Sequence, residues 1–580
     1  MSPAPGATLP AELLSEVQAW LGEDPDPGAR AELEELVRQG DERELRARFD
    51  HPLTFGTAGL RGPLGAGPAR MNRAVARRTT AGLVTHLLAP AQRTGTGAGP
   101  GVVVGHDARH LSAEMAEDAA RVVASRGLRA WWLKSALPTP ITAFGVRHFA
   151  AFAGVVVTAS HNPAADNGYK VYLSDGAQVV PPHDEDIASS AAKSAVPSDE
   201  QLSGPFGDRL VEVDEEELLA AYCRAALAAA GAESTPAVRD RLRCVYTPVH
   251  GTGGAVLPRL MEEAGFAPPA VVAAQAGPDP DFPTAPFPNP EEPGVLDLAL
   301  ADAERLSADL VLANDPDADR LAVAVRTDEG RYRVLSGDEV GALLADHLIS
   351  STSGEDRLVA TTVVSSTMLS DLAVQRGIAY VETLTGFKWV ARAARLRPGH
   401  RLLFGYEEAL GYAVTDAVAD KDGMSAAVVV ADMAARAKAA GRSLLDRLDE
   451  LDAALGVHAT RQWSLRLPGS DAGEEMGKLM SNWRSAPPAR LGGHEVAKVR
   501  DLAHGEGDLP PTDLLVFYLD GQGRVVMRPS GTEPKLKVYF EAKTDPCCMA
   551  DLGEARRLAA SRLHELQQAV SALLDLQAGP

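Results

Sequence analysis

The stretch that constrains this chain most is Gly154 to Tyr172, GVVVTASHNPAADNGYKVY, an apolar run that stops at a Ser-His-Asn-Pro turn. Val155, Val156 and Val157 predict a buried strand, and the turn after them carries groups capable of chemistry. Ser160 is thereby delivered to a strand's end beside His161 and Asn162, with Lys170 ten residues on. A hydroxyl so placed can act as a nucleophile or carry a phosphoryl group, provided cations or a metal offset the charge that accumulates. Ser and Asn also close turns and cap helices, so the turn alone leaves both readings open.

The source of that charge is legible further on. Residues 308–320, ADLVLANDPDADR, predict a strand followed by Asp315, Asp317 and Asp319 at alternate positions, then Arg320. Three carboxylates in so short a loop repel one another unless a cation sits among them, and an all-oxygen set favours a hard ion such as Mg²⁺. A calcium-binding EF-hand would need Gly at loop position six and Glu at twelve, where this chain has Arg320 and Arg326. The nucleophile loop of haloacid dehalogenases would need Thr or Val where Asp319 or Leu321 stands, so it does not fit either.

At 580 residues the chain exceeds what one core usually supports, and about 150 residues per domain suggests four domains. We place them at 1–208, 209–330, 331–455 and 456–580. Residues 1–50 predict a helical lead-in without chemistry, from Leu13, Leu14, Val17 and Leu21 and the charged run Glu32 to Phe49. The run TGTGAGPG at 94–101 precedes the strand VVVGHD rather than following one, so it reads as a linker and not a dinucleotide loop. After that strand, Gly105 to Arg109 leads into an alanine-rich helix, and the strand–helix alternation predicts a mostly parallel sheet with ligands at its strand ends. The proline-dense run Pro278 to Gly294 excludes helix and central strand, and reads as an ordered or semi-rigid loop.

A net charge of −22 argues against a nucleic-acid partner, which would need clustered Lys and Arg. Any phosphate site must then be locally basic against the global field. Cys223, Cys244, Cys547 and Cys548 have no metal-ligand spacing, and a reducing cytoplasm fits them best. The start MSPAPGATLP is not expected to direct export, and no stretch reaches 18 uncharged apolar residues.

Three further loops suit anions or sugars. In FGTAGLRGPLG, glycines Gly56 to Gly65 flank Arg61, allowing close backbone approach beside one guanidinium. TLTGFKW places Gly386 and Lys388 in a loop, and LFGYEEALGY places Glu407 and Glu408 after a strand. VVMRPSGTEPKLKVYFE gathers Arg528, Ser530, Gly531 and Thr532, with Lys535 and Lys537 nearby, which is a phosphate cradle by composition. G-x-S-x-G and G-x-x-x-x-G-K-[ST] are both missing, which argues against a serine esterase and a P-loop kinase.

In order along nearly the whole chain, GTAGLRG, TASHNP with DNGYK, NDPDADR, YEEALG and RPSGTEPK resemble the loops of the phosphohexomutase family, the phosphoglucomutases and phosphomannomutases. PDPDFPTAPFPNPEEPG resembles the branch nearest the phosphopentomutases and glucose-1,6-bisphosphate synthases. The resemblance implies an α/β fold of four domains around a central cleft, three related mixed-sheet domains and a smaller C-terminal α+β domain. It implies a mutase that moves phosphate between the 1- and 6-positions of glucose or mannose through a phosphoserine at Ser160 and a bisphosphate intermediate. The alternatives are a phosphopentomutase, a glucose-1,6-bisphosphate synthase, or a non-catalytic phosphosugar-binding protein.

By the same resemblance, one Mg²⁺ per chain would be held by Asp315, Asp317, Asp319 and a phosphate oxygen on Ser160, with a sugar bisphosphate as activator. Arg61 and Lys170 would flank the transferred group, Arg320 would support the metal loop, and His161 or Lys170 would serve as acid or base. Gly386 and Lys388 would contact phosphate, Glu407 and Glu408 the sugar, and Arg528, Ser530, Gly531, Thr532 and Lys537 the distal phosphate. Where phosphoglucomutases commonly read GEESFG, Ala409 replaces the serine, which puts the sugar's identity in question. Only a small phosphosugar partner is implied, without nucleic acid or membrane, for a monomer or homodimer.

Overall fold

The computed structural model describes residues 9–56, 59–89, 99–229, 234–466, 472–520, 523–529 and 535–577. They fall into two compact units, one of residues 1–334 and 411–436, the other of 335–410 and 437–580.

The first unit opens with helices Ala11–Glu23, Pro27–Gln39 and Glu42–Phe49. Asp26 caps the second by accepting from Gly28 N, and Gly40 ends it in the left-handed conformation at φ 66°. Their apolar stripe, Leu13, Val17, Trp20, Leu33 and Leu45, is buried against the first sheet's core. This lead-in does more than cover a core, because Arg48 donates to Ala66 O at 3.1 Å and Glu32 accepts from Ala66 N at 3.1 Å, fixing the loop that follows Arg61.

The first sheet runs Leu60–Pro63, Asp166–Leu173, Ala151–Val157, Gly99–His106, Arg129–Trp132, Leu210–Glu212. The last four strands are parallel and the first two run against their neighbours, a mixed sheet. Helices Ser112–Ser125 and Thr139–His148 pack on the central strands, which is why Val102–Val104 and Val155–Val157 are fully buried. Strand Gly99–His106 absorbs the last three residues of the run read as a linker, and residues 94–98 lie outside the described residues. The second sheet is also mixed: Tyr332–Val334, Ala322–Arg326, Leu310–Ala313, Cys244–Thr247 and Ala270–Val271, with the last three parallel. Residues 278–294 contain neither helix nor strand, as the prolines dictate.

In the second unit, Ala379–Thr383, Arg357–Thr362 and Arg401–Glu407 pair in parallel. An antiparallel sheet follows, in the order His458–Arg466, Lys535–Lys543, Gly523–Pro529, Leu515–Leu519, His494–Asp501, Arg490–Leu491. Trp483, Phe517, Phe540, Leu563 and Leu566 fill the core between this sheet and helices Ala472–Ser485 and Leu552–Gln577. Among the described residues, no helix is long and apolar enough to cross a membrane.

Candidate active site

Strand Ala151–Val157 ends at Thr158, and the chain then turns through Ser160 with φ 54°. A non-glycine residue in that left-handed region costs about 1–3 kcal/mol, so the surroundings must enforce it. Two bonds do so: Ser160 N donates to Thr158 Oγ1 at 2.8 Å, and Ser160 O accepts from Arg109 Nη2 at 2.6 Å. The hydroxyl that results is 1% exposed and donates to Asp315 Oδ2 at 2.7 Å, with His161 Nδ1 at 3.2 Å.

Strand Leu310–Ala313 delivers Asp315, Asp317 and Asp319 to the same point, each fully buried. The loop is held by backbone packing: Ala318 adopts φ 56°, Thr252 N donates to Pro316 O at 2.8 Å, and a Cβ on Gly251 would lie 2.4 Å from Pro316 backbone atoms. Asn314 is braced by the Tyr246 hydroxyl at 2.9 Å. Lys170, fully buried on strand Asp166–Leu173, donates to Asp317 Oδ2 at 2.7 Å and Asp319 Oδ2 at 2.8 Å. Lys421 reaches Asp319 Oδ2 at 2.9 Å, and Thr139 Oγ1 donates to Asp317 Oδ2 at 2.7 Å.

The electrostatics split the trio. Burial, with the adjoining charges of Asp317 and Asp319, pushes the Asp315 carboxyl well above the usual carboxylate range. Burial would push Asp317 and Asp319 up as well, but Lys170 and Lys421 outweigh it and hold both below that range. Burial, then the positive charges of Arg320 and Arg61, lowers His161 well below the ordinary imidazole value, so its ring is neutral.

These residues fit a hard metal. One oxygen from each aspartate lies within 4.8 Å of the others, and among the described residues nothing donates to Oδ1 of Asp317 or of Asp319. Two buried, unsatisfied carboxylate oxygens beside a third carboxylate and a serine hydroxyl form an oxygen-donor cage.

Arg61 and Arg320 stand at the same centre. Arg61 Nη1 donates to Asn162 Oδ1 at 3.3 Å, and Arg320 N donates to Asp315 Oδ1 at 3.1 Å. The first unit therefore gathers Ser160, His161, Lys170, Arg61, Arg320 and the three aspartates. Sequence reasoning missed Lys421 and Thr139 and gave Arg109 no role. The signal for Lys421 was present: Asp420-Lys421-Asp422 is a charged triplet directly before the small, apolar helix Gly423–Ala439, a position that buries charge.

In the second unit, Gly386 at φ 110° donates its N–H to Glu407 Oε1 at 2.8 Å, and Arg528 Nη1 donates to Thr385 Oγ1 at 2.6 Å. Gly386, Glu407 and Arg528 thus meet through one loop. Lys388, expected in a loop, sits buried on the short helix Phe387–Val390 that the left-handed-side backbone of Gly386 initiates. Glu408 turns away from its neighbour, accepting from Ser365 Oγ at 2.9 Å and Thr362 Oγ1 at 3.3 Å. Lys537 faces Arg528 across the sheet, and Ser530, Gly531 and Thr532 lie outside the described residues.

Against known families, residues 52–196 match "Phosphoglucomutase/phosphomannomutase, alpha/beta/alpha domain I", 220–330 match domain II, 336–452 domain III, and 487–552 the C-terminal domain. The chain belongs to the phosphoglucomutase/phosphomannomutase family. Within this α-D-phosphohexomutase family it is 42% identical to a Haemophilus influenzae protein named "Probable phosphomannomutase", over 82% of this chain and 93% of that one. It is 35% identical to the phosphopentomutase of Mus musculus, over 94% and 93%. A solved phosphoglucomutase/phosphomannomutase family protein from Burkholderia thailandensis superposes with a TM-score of 0.64 at 20% identity, covering 88% of this chain and 97% of that one, a likeness in fold.

Proposed function

We propose that this enzyme is a phosphosugar mutase that interconverts hexose 1-phosphate and hexose 6-phosphate, with glucose or mannose as the sugar. Ser160 carries the phosphoryl group. The single observation behind this reading is the Ser160 hydroxyl, held in a left-handed backbone at 2.7 Å from Asp315 within a lysine-braced carboxylate trio. Mg²⁺ is the ion we assign to Asp315, Asp317, Asp319 and an oxygen on Ser160; when bound it supplies positive charge to the transferring group.

The chain's own residues account for the rest. Lys170, Lys421, Arg61 and Arg320 oppose three carboxylates, which leaves one positive charge over, and a phosphoryl dianion and a divalent cation cancel each other, so the loaded site keeps that single positive charge. In transfer, the P–O bond to Ser160 breaks as one to a sugar hydroxyl forms. The hydroxyl's proton passes to a base, and the Ser160 oxygen regains a proton in turn. His161 suits the base, being neutral and 3.2 Å from Ser160 Oγ, while Lys170 Nζ is already engaged in donating to Asp317 and Asp319. Glu407 and Glu408 are assigned to the sugar loop, and Gly386, Lys388, Arg528, Ser530, Gly531, Thr532 and Lys537 to the distal phosphate. In this reading a sugar bisphosphate primes Ser160, the domains divide at 208, 330 and 455, and the enzyme works as a monomer or homodimer in the cytoplasm.

A second reading, phosphopentomutase, is favoured by the 35% identity with the mouse enzyme over 94% of the chain and by Ala409 in place of a sugar-binding serine. Rates on glucose-1-phosphate, mannose-1-phosphate and ribose-1-phosphate, with bisphosphate added, decide between them. The mutase reading itself is tested by intact mass: a phosphate of about 80 Da on Ser160, discharged by a sugar monophosphate and missing from Ser160→Ala. A protein that binds phosphosugars yet never takes up that mass would be a binding protein instead.

A further inference from the structure

The residue that governs Ser160 most directly does no chemistry. Arg109 is 4% exposed, and its guanidinium is spent on the backbone of the turn that carries the serine. Nη2 donates to Ser160 O at 2.6 Å and to Asn162 O, while Nη1 donates to Pro163 O at 2.8 Å and Asp166 O at 3.1 Å. On its remaining edge, Nε faces Asp107 Oδ2 at 3.3 Å, and Asp107 Oδ1 is held by Arg109 N at 3.0 Å and Ser112 Oγ at 2.7 Å. One fork of donors thereby gathers four carbonyls from the seven residues 160–166.

Phe282, from the proline-dense loop, lies over the guanidinium with its ring centroid 4.8 Å from Cζ and is itself 2% exposed. That loop is tied to the same corner, since His110 Nε2 and Asp281 Oδ1 lie 2.8 Å apart. A guanidinium covered by a ring face is shut off from water, so its bonds to the carbonyls meet no solvent competition.

We propose that Arg109, sealed by Phe282, is the positioning residue for the transferred phosphoryl group. The peptide before Ser160 is tied by Thr158 Oγ1 and the peptide after it by Arg109, so the Cα–Cβ direction, and with it the hydroxyl's line to Asp315, is fixed from both sides. Releasing the second tie lets the left-handed turn relax toward ordinary backbone and swings the hydroxyl off that line. A lysine cannot replace the arginine, because one ammonium does not span four carbonyls. The proposal rests on Ser160 as the phosphoryl carrier.

The test is Arg109→Lys, read by hydrogen exchange of the peptide covering 157–167 and by steady-state kinetics. The expected result is at least tenfold faster exchange in that peptide with the Leu310–Ala313 and Cys244–Thr247 strands unchanged. Alongside it, kcat falls at least 100-fold while KM for the sugar phosphate stays within threefold. Wild-type exchange in 157–167, or kcat within threefold of wild type, overturns the proposal. Should Arg109→Lys fail to fold, Phe282→Leu keeps all four carbonyl bonds and removes only the cover. It should raise exchange in 157–167 about threefold and lower kcat three- to tenfold, and no change in either also overturns the proposal. Exchange is independent of catalysis, so a wild-type protein that never phosphorylates Ser160 would defeat the mutase reading while the exchange data still decide the role of Arg109.

Discussion

Asp315 Oδ2 receives the Ser160 hydroxyl at 2.7 Å, which seats the serine on the carboxyl that burial and its two neighbours push well above its ordinary value. Asp315 is therefore the costliest member of the trio to keep ionised without a cation. Asp315→Asn should leave the metal-free protein at least as stable as wild type. Wild type should gain about 2.7 kcal/mol at a Mg²⁺ concentration 100 times Kd, and the variant should lose most of that gain, with mutase activity down about 100-fold. Thermal unfolding with and without Mg²⁺ checks this; an undiminished magnesium shift in the variant rules it out.

Lys421 shares Asp319 with Lys170, both lysines being buried. Lys421→Met leaves a fully buried carboxylate short of one partner, at a cost of about 3 kcal/mol. Adding Asp319→Asn should recover part of the loss, giving a coupling of about 1–3 kcal/mol in a double-mutant cycle by urea unfolding. Strict additivity would show that the pair contributes nothing.

Glu407 and Glu408 are adjacent yet differently placed. Glu408→Ala removes the carboxylate that accepts from Ser365 and Thr362, leaving their hydroxyls to bond each other at 2.8 Å, and should cost about 1 kcal/mol of stability. Glu407→Ala should also cost about 1 kcal/mol through its lost bond from Gly386 N–H, and in addition raise KM for the sugar phosphate about tenfold. With stability followed by denaturation, indistinguishable kinetics for the two variants would erase the division of labour.

His458 joins strand His458–Arg466 to the inside of the second unit, with Nε2 3.3 Å from Asp371 and Nδ1 3.0 Å from Glu541. Burial alone would lower its pKa, but the two carboxylates outweigh it and raise it above 6.5. A histidine whose folded pKa exceeds its unfolded one stabilises fully below about pH 6.5, and that share is lost as pH climbs through the raised value. Unfolding free energy should therefore decline between neutral and alkaline pH. His458→Gln should flatten the decline; an identical slope in both proteins contradicts the assignment.

Much of this site was legible because its chemistry is packed into short words. Asp315, Asp317 and Asp319 announce an oxygen cage by spacing alone, and Ser160 follows three consecutive valines that had to be a buried strand. What stayed hidden depends on chain crossings that local patterns do not encode. Lys421 acquires its meaning only by meeting a carboxylate 102 positions earlier, and Arg109 only through carbonyls, which belong to every residue and so leave no mark in a sequence. Glu408 read, with Glu407, as a sugar-contacting carboxylate after a strand, yet hydroxyls from strand Arg357–Thr362 and the turn beyond it donate to its carboxylate.

The first compact unit reclaims residues 411–436 after the chain has departed for the second. On a ribosome adding 5–20 residues per second, Lys421 emerges about 5–20 s after Asp319. Through that interval the nascent aspartate cluster lacks one of its two lysines, so the first half of the newborn polypeptide matures only once the translating machinery has passed well into the second.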